Sequence, residues 1–175
     1  LKGGVVYADR VTTVSPSSAK EILTLYGGAR MDGVLRARGR NLLGILKGID
    51  HAVWNPCTDP HLVARYDAED AANKARCKTD LQQRLGLPVR PEVPVVGMVA
   101  RVDAQKGTDL VLGAAAPLMR QDVQLVVQGS GDPALMAQLK ELAAKMPDKV
   151  AWRSEWDDPL AHRIYAGSDF FLVPS

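Results

Sequence analysis

From Val93 onward, short apolar runs alternate with segments in which apolar residues recur every three or four positions. "VPVVGMVA", "VQLVVQG", "KVAWR" and "DFFLVPS" read as buried strands; "TDLVLGAAAPLM", "DPALMAQLKELAAKM" and "DPLAHRIYAG" between them read as helices with one apolar face. Continuous apolar strands separated by amphipathic helices predict βαβ units on a parallel sheet, a Rossmann-like α/β domain with four strands.

The first half is patterned differently. "RVTTVS" (Arg10 to Ser15) is a β-branched strand, and "SSAKEILTLY" behind it places Ser18 three residues before Glu21, a capping-box spacing that opens a short helix. "NLLGILKGID" (Asn41 to Asp50) reads as a second apolar strand, and the prolines of "HAVWNPCTDPHL" forbid regular structure after it. "AEDAANKARCKTDLQQRLGLP" then predicts one polar helix with Cys77, Leu81 and Leu85 on a single stripe, ended by Gly86 and Pro88.

Composition adds limits rather than chemistry. The 22 basic and 20 acidic residues are dispersed, so a nucleic-acid partner is not expected. The densest basic stretch, "RMDGVLRARGR", reads as a solvated loop or helix end. Cys57 and Cys77 have no metal-site or disulfide-framework spacing and read as buried or bystander thiols in a reducing compartment. No apolar run approaches the roughly 20 residues of a membrane span, and no signal-peptide pattern opens the chain. A soluble intracellular protein is expected, cut at both ends from a longer one.

Candidate chemistry gathers at "VARVDAQKGTDLV", residues 99–111. In open α/β sheets ligands lie beyond the carboxyl ends of the strands, where helix N-termini present unpaired amides. Arg101 closes a strand there and Lys106-Gly107 opens the next helix, so both cations can converge on an anion while Gly107 allows close backbone approach. By spacing alone, a diphosphate clamp and an ordinary strand-end arginine with a solvated lysine stand level. Gly129, Ser130 and Gly131 of "VVQGSGDPALM" occupy the same sheet edge and could bring backbone amides to a nucleotide, although tight βα turns require glycine anyway. His51 and His61 read as loop residues, His162 as a helix-face histidine with a structural hydrogen bond, and Asp157 with Asp158 as a helix cap. The chain has no Asp-x-Asp pair of the kind that holds a divalent metal on a sugar nucleotide, and no metal or cofactor is expected.

"YADRVTTVSPSSAKEI", "GILKGIDHAVWNPCTDPHL", "GMVARVDAQKGTDLV" and "AHRIYAGSDFFLVPS" together resemble the bacterial glycogen synthase and plastid starch synthase family, over nearly the whole chain. The resemblance implies a two-lobed glycosyltransferase-B fold, with residues 1–45 ending the acceptor-side lobe, 46–90 crossing between lobes, and 91–175 beginning the nucleotide-sugar domain. It further implies a retaining glucosyl transfer from ADP-glucose to an α-1,4-glucan, with Arg101 and Lys106 on the donor phosphates and Trp156 against the adenine. A cytoplasmic location follows for a bacterial source and a plastid location for a plant or alga. The family's lysine-glycine-glycine loop and its later acidic motif are expected to lie outside these residues, which would leave half a donor site and an inactive isolated chain. Two alternatives stay open: a sucrose- or trehalose-type synthase of the same fold, and a nucleotide-sugar- or glucan-binding module without chemistry.

Overall fold

The computed structural model describes residues 1–174. They form two compact units, Leu1–Asp50 and His51 onward.

In the first unit, α1 (Lys2–Tyr7), β1 (Val11–Thr13), α2 (Pro16–Glu21), α3 (Asp32–Ala37) and β2 (Leu42–Gly44) follow in order, and β1 pairs with β2 in parallel, Val11 opposite Leu42. The cap of α2 is Ser15, not Ser18. Pro16 fits the first helical position, so the residue before it becomes the cap, and Ser15 Oγ accepts from Ser18 N at 2.9 Å. The second strand is also shorter than the apolar run suggests. Its partner β1 has only three residues, and pairing ends with Ile45 N donating to Thr13 O at 2.9 Å. Two arginines of residues 30–40 serve the unit's own structure: Arg36 pairs with Asp32 at 2.5 Å, and Arg38 donates to the carbonyls of Val6 and Ala8.

The second unit carries α4 (Lys74–Leu85), β3 (Val95–Val99), α5 (Thr108–Met119), β4 (Gln124–Gln128), α6 (Pro133–Lys145), β5 (Val150–Arg153), α7 (Asp158–Gly167) and β6 (Phe170–Phe171). The strands form one parallel sheet in the order β5-β4-β3-β6. The βαβ alternation predicts four parallel strands, and the structure adds their order. On one face α5 and α6 cover Val96, Met98, Leu125, Val127 and Val150; on the other, Leu81 and Leu85 of α4 and Leu160 and Ile164 of α7 cover Val95, Val126 and Ala151. Cys77, Leu81 and Leu85 form the expected buried stripe, and Gly86 ends α4 in the left-handed conformation. The helix starts later than its polar run, because Asp67 and Asp70 turn the preceding residues by accepting from Asp70 N at 2.7 Å and Ala72 N at 3.0 Å. Strand β6 stops after two residues. Pairing ends at Leu172 N to Gly97 O, 2.8 Å, and Ser175 of the predicted strand lies outside the described residues.

Polar ties fix this sheet. Asp169 Oδ2 accepts from Val95 N at 2.7 Å and pairs with Lys78 Nζ at 2.7 Å, joining β3, α4 and the start of β6. No helix of the described residues is long and apolar enough to cross a membrane.

Candidate functional site

Beyond the carboxyl ends of β3 and β4 the two chain segments stay together. Ala100 N donates to Gln128 O at 3.1 Å, Val102 N to Ser130 O at 2.9 Å, and Asp132 N to Val102 O at 2.7 Å. This contact is what the glycines serve. A Cβ on Gly129, where φ is 152°, would stand 1.8 Å from Ala100 O, and one on Gly131 would stand 2.3 Å from Val102 O. The Gly129-Ser130-Gly131 spacing therefore has a packing cause in this chain, and it leaves Ser130 exposed on the sheet edge.

The Arg101 turn is organised by a residue whose role the sequence analysis missed. Asp103 Oδ1 accepts from Lys106 N at 2.7 Å, and Asp103 Oδ2 pairs with Arg101 Nη2 at 3.2 Å. One carboxylate thus holds the Arg101 guanidinium and the backbone of Lys106 in the same turn. The signal was present: an aspartate three residues before Lys106 is a cap spacing. Arg101 also donates to Gln105 Oε1 at 3.1 Å, but its side chain is 67% exposed and free to reorient.

Lys106 does not open α5 directly. It closes a 3-10 turn, Ala104–Lys106, and Gly107 at φ 75° then turns the chain into the helix. The group that approaches Gly107 closely is Pro174, whose Cβ lies 2.5 Å from where a side chain would begin. The glycine thus makes room for protein as well as supplying a positive φ. Next to it Thr108 Oγ1 is buried without a hydrogen-bond partner. Lys106, Tyr165, Phe171, Pro174 and the end of β3 line a pocket of about 210 Å³. Burial pushes the Tyr165 phenol above its ordinary value.

Trp156 lies in the β5–α7 loop, 64% exposed, with Nε1 donating to Asp158 Oδ1 at 2.6 Å. The loop is held from below by Gln128 Nε2 donating to Asp157 O at 2.7 Å, and Asp157 caps α7 through Leu160 N at 3.1 Å, as the Asp-Asp-Pro spacing predicts.

His162 makes a structural hydrogen bond, and a strong one. Its Nδ1 lies 2.6 Å from Asp59 Oδ2 with both side chains buried, and Trp54 stacks on its ring at 4.0 Å between centroids. His61 meets the same ring edge-on at 4.9 Å, so it packs inward and is not a plain surface-loop residue. His51 is exposed. Asp59 and Trp54 were not singled out in the sequence, because their partner is about a hundred residues away. The cluster anchors the irregular 51–66 segment to α7. Among the described residues no group of three or more His, Cys, Asp or Glu side chains is placed to hold a metal ion.

Arg101, Lys106, Gly107 and the 129–131 turn therefore share one edge of the sheet. Two cationic side chains on one turn can hold an anion, and can stabilise negative charge that grows on a leaving group.

The family of glycosyl transferases group 1 matches residues 81–175, more than half of the chain and all of this edge. The chain belongs to that family. Residues 1–37 match the starch synthase catalytic domain. Among curated relatives, a glycogen synthase of Anaeromyxobacter dehalogenans is 53% identical over all 175 residues, and one of Streptococcus equi subsp. zooepidemicus is 49% identical over the same span. The chain spans 37% of the length of each. Among solved structures, the catalytic domain of starch synthase IV from Arabidopsis thaliana, bound to ADP and acarbose, matches with a TM-score of 0.93 and 35% identity, covering 99% of this chain and 36% of that one. A glycosyltransferase from Rickettsia africae matches in fold, with a TM-score of 0.63 at 18% identity, covering 99% of this chain and 41% of its own. The group 1 transferase chain thus has the parallel-sheet α/β architecture of glycosyltransferase-B structures, as the strand pattern and the resemblance imply.

Proposed function

We propose that this chain supplies the nucleotide-sugar side of a retaining glucosyltransferase that extends an α-1,4-glucan from ADP-glucose. The observation that carries the reading is Asp103 tying Arg101 and Lys106 into one turn, at the sheet edge where an open α/β fold takes its ligand. Support for the donor comes from the resemblance to a starch synthase bound to ADP and from relatives that are glycogen synthases.

In this proposal Arg101 and Lys106 hold the diphosphate through their side chains, since the amides of Gly107, Gly129 and Gly131 are already given to Ala104 O, Arg153 O and Met136 Sδ; the glycines let the turns that carry the site pack together. As the bond between glucose and the diphosphate breaks, negative charge accumulates on the leaving ADP. Cations already placed there stabilise that charge more than they stabilise the bound donor, which raises the rate. Trp156, exposed in its loop, borders the adenine in this proposal and tolerates replacement by another large aromatic ring.

The test is a titration of ADP-glucose and of UDP-glucose into the chain, followed by tryptophan fluorescence. Saturable quenching with preference for ADP-glucose is expected. A preference for UDP-glucose would overturn the donor assignment, and no response to either would overturn the nucleotide-sugar reading.

A further inference from the structure

A groove of about 700 Å³ runs along the side of β5 that has no neighbouring strand, and it shares no lining residue with the Lys106 pocket. Four cations line it, each from a different element: Arg84 at the end of α4, Lys140 on α6, Arg153 at the end of β5 and Arg163 on α7. Their charges are unequally compensated. Asp80 holds Arg84 through both carboxylate oxygens, at 2.9 and 2.7 Å. Arg163 Nε is shut off from solvent without a hydrogen bond, and Asp80 Oδ2 stands off at 3.9 Å. Arg153 donates to neutral acceptors, Trp152 O at 3.1 Å and Leu85 O at 3.3 Å. Lys140 is exposed and has no ion pair among the described residues. Against these stand Glu155 and Asp157, and Asp157 Oδ1 is already engaged in capping α7.

An open strand edge could instead receive another strand, but this one is guarded. Lys149 O and Arg153 O accept from Leu125 N and Gly129 N of the β4 segment, so Val150 and Trp152 turn their backbone groups outward. Val150 N is taken by Met146 O at 2.8 Å, and Trp152 O is covered by the Arg153 guanidinium. Cations over an edge strand oppose strand addition and leave net positive charge for a small anion.

We propose that this groove is a second ligand site, taking a phosphate-bearing anion on Lys140, Arg153 and Arg163. It does not depend on the donor-site reading. It does adjoin it, because Ser154, Glu155 and Asp157 line the groove while Trp156 between them does not. An anion bound there contacts the loop that carries Trp156.

The test is a residue-resolved nuclear magnetic resonance titration of the ¹⁵N-labelled chain with inorganic phosphate, at ionic strength held constant with chloride. Saturable shifts at the amides of Lys140, Ser154, Glu155 and Arg163 are expected, with millimolar affinity. Lys140→Ala, on an exposed helix face that alanine suits, should weaken this binding about fivefold, while Arg101→Ala leaves it unchanged. A parallel titration with glucose 1-phosphate separates the sources: tighter binding assigns the groove to phosphorylated sugars, and equal binding to the phosphate group alone. Shifts confined to residues 101–108, shifts that grow without saturation, or an unchanged affinity in Lys140→Ala would overturn the proposal. Shifts at the groove produced by neutral maltoheptaose and not by phosphate would also overturn it, making the groove a glucan site.

Discussion

Replacing Asp103 separates its two duties, capping and charge pairing. In Asp103→Ala the acceptor for Lys106 N is lost, which costs about 1 kcal/mol, the usual worth of a helix cap. The pair with Arg101 adds little, because the guanidinium is 67% exposed and such pairs are worth roughly 0–1 kcal/mol before screening. The total is about 1–1.5 kcal/mol, or a fall in Tm of roughly 3–5 °C for a chain of this size. Asp103→Asn keeps an oxygen acceptor and loses only the charge, so its stability should stay within about 0.5 kcal/mol of the parent. Anion binding should separate the variants as well. With alanine the Lys106 turn is no longer held and ADP binds several-fold more weakly; with asparagine the turn is kept, the competing carboxylate is gone, and ADP binds at least as tightly as before. Urea denaturation and calorimetric titration of ADP read the two effects. Equal loss of stability in both variants would refute the capping role, and unchanged ADP affinity in Asp103→Ala would refute the link between the turn and the site.

Gly129→Ala should destabilise the chain by roughly 3 kcal/mol or more, since a Cβ placed 1.8 Å from Ala100 O must pry apart the two loops and their hydrogen bonds; an unchanged denaturation midpoint would contradict this. Asp59→Ala leaves buried His162 without its partner and should cost about 2–3 kcal/mol, whereas His162→Ala with Asp59→Ala should cost less than the sum of the single changes, as a double-mutant cycle by urea denaturation will show. Burial raises the Cys77 thiol above its ordinary value, so at pH 8 it holds less thiolate and lies out of reach, and mass spectrometry after iodoacetamide should find exposed Cys57 alkylated well before Cys77.

The parts of the fold that were legible in the sequence are those whose signal is local. Residues 95–98 and 125–127 are buried on both faces and read as short apolar runs, and Pro133 and Pro159 mark helix starts that Asp132 and Asp157 cap. Strand ends were not legible, because they depend on a partner: β2 and β6 stop where pairing with β1 and β3 stops, although the apolar runs continue. At the candidate site, Arg101 and Lys106 stood out by spacing, and the structure gives both a common tether in Asp103. The glycine turn was legible as glycine but not as packing, since only the fold brings Ala100 and Val102 against residues 129–131. Asp59, Trp54 and His162 meet across about a hundred residues, and nothing local in "WNPCTDPHL" announces that contact.

The central claim is that Arg101 and Lys106 together grip a diphosphate without a metal. Its most direct measurement is the affinity of ADP, in the presence of EDTA, for the parent chain, Arg101→Ala, Lys106→Ala and the double variant. Each single change should weaken binding by about tenfold, the worth of one charge-assisted contact, and the double variant should bind ADP no better than AMP. ADP affinity that is equal in all four proteins, or that appears only when magnesium is added, would contradict the account.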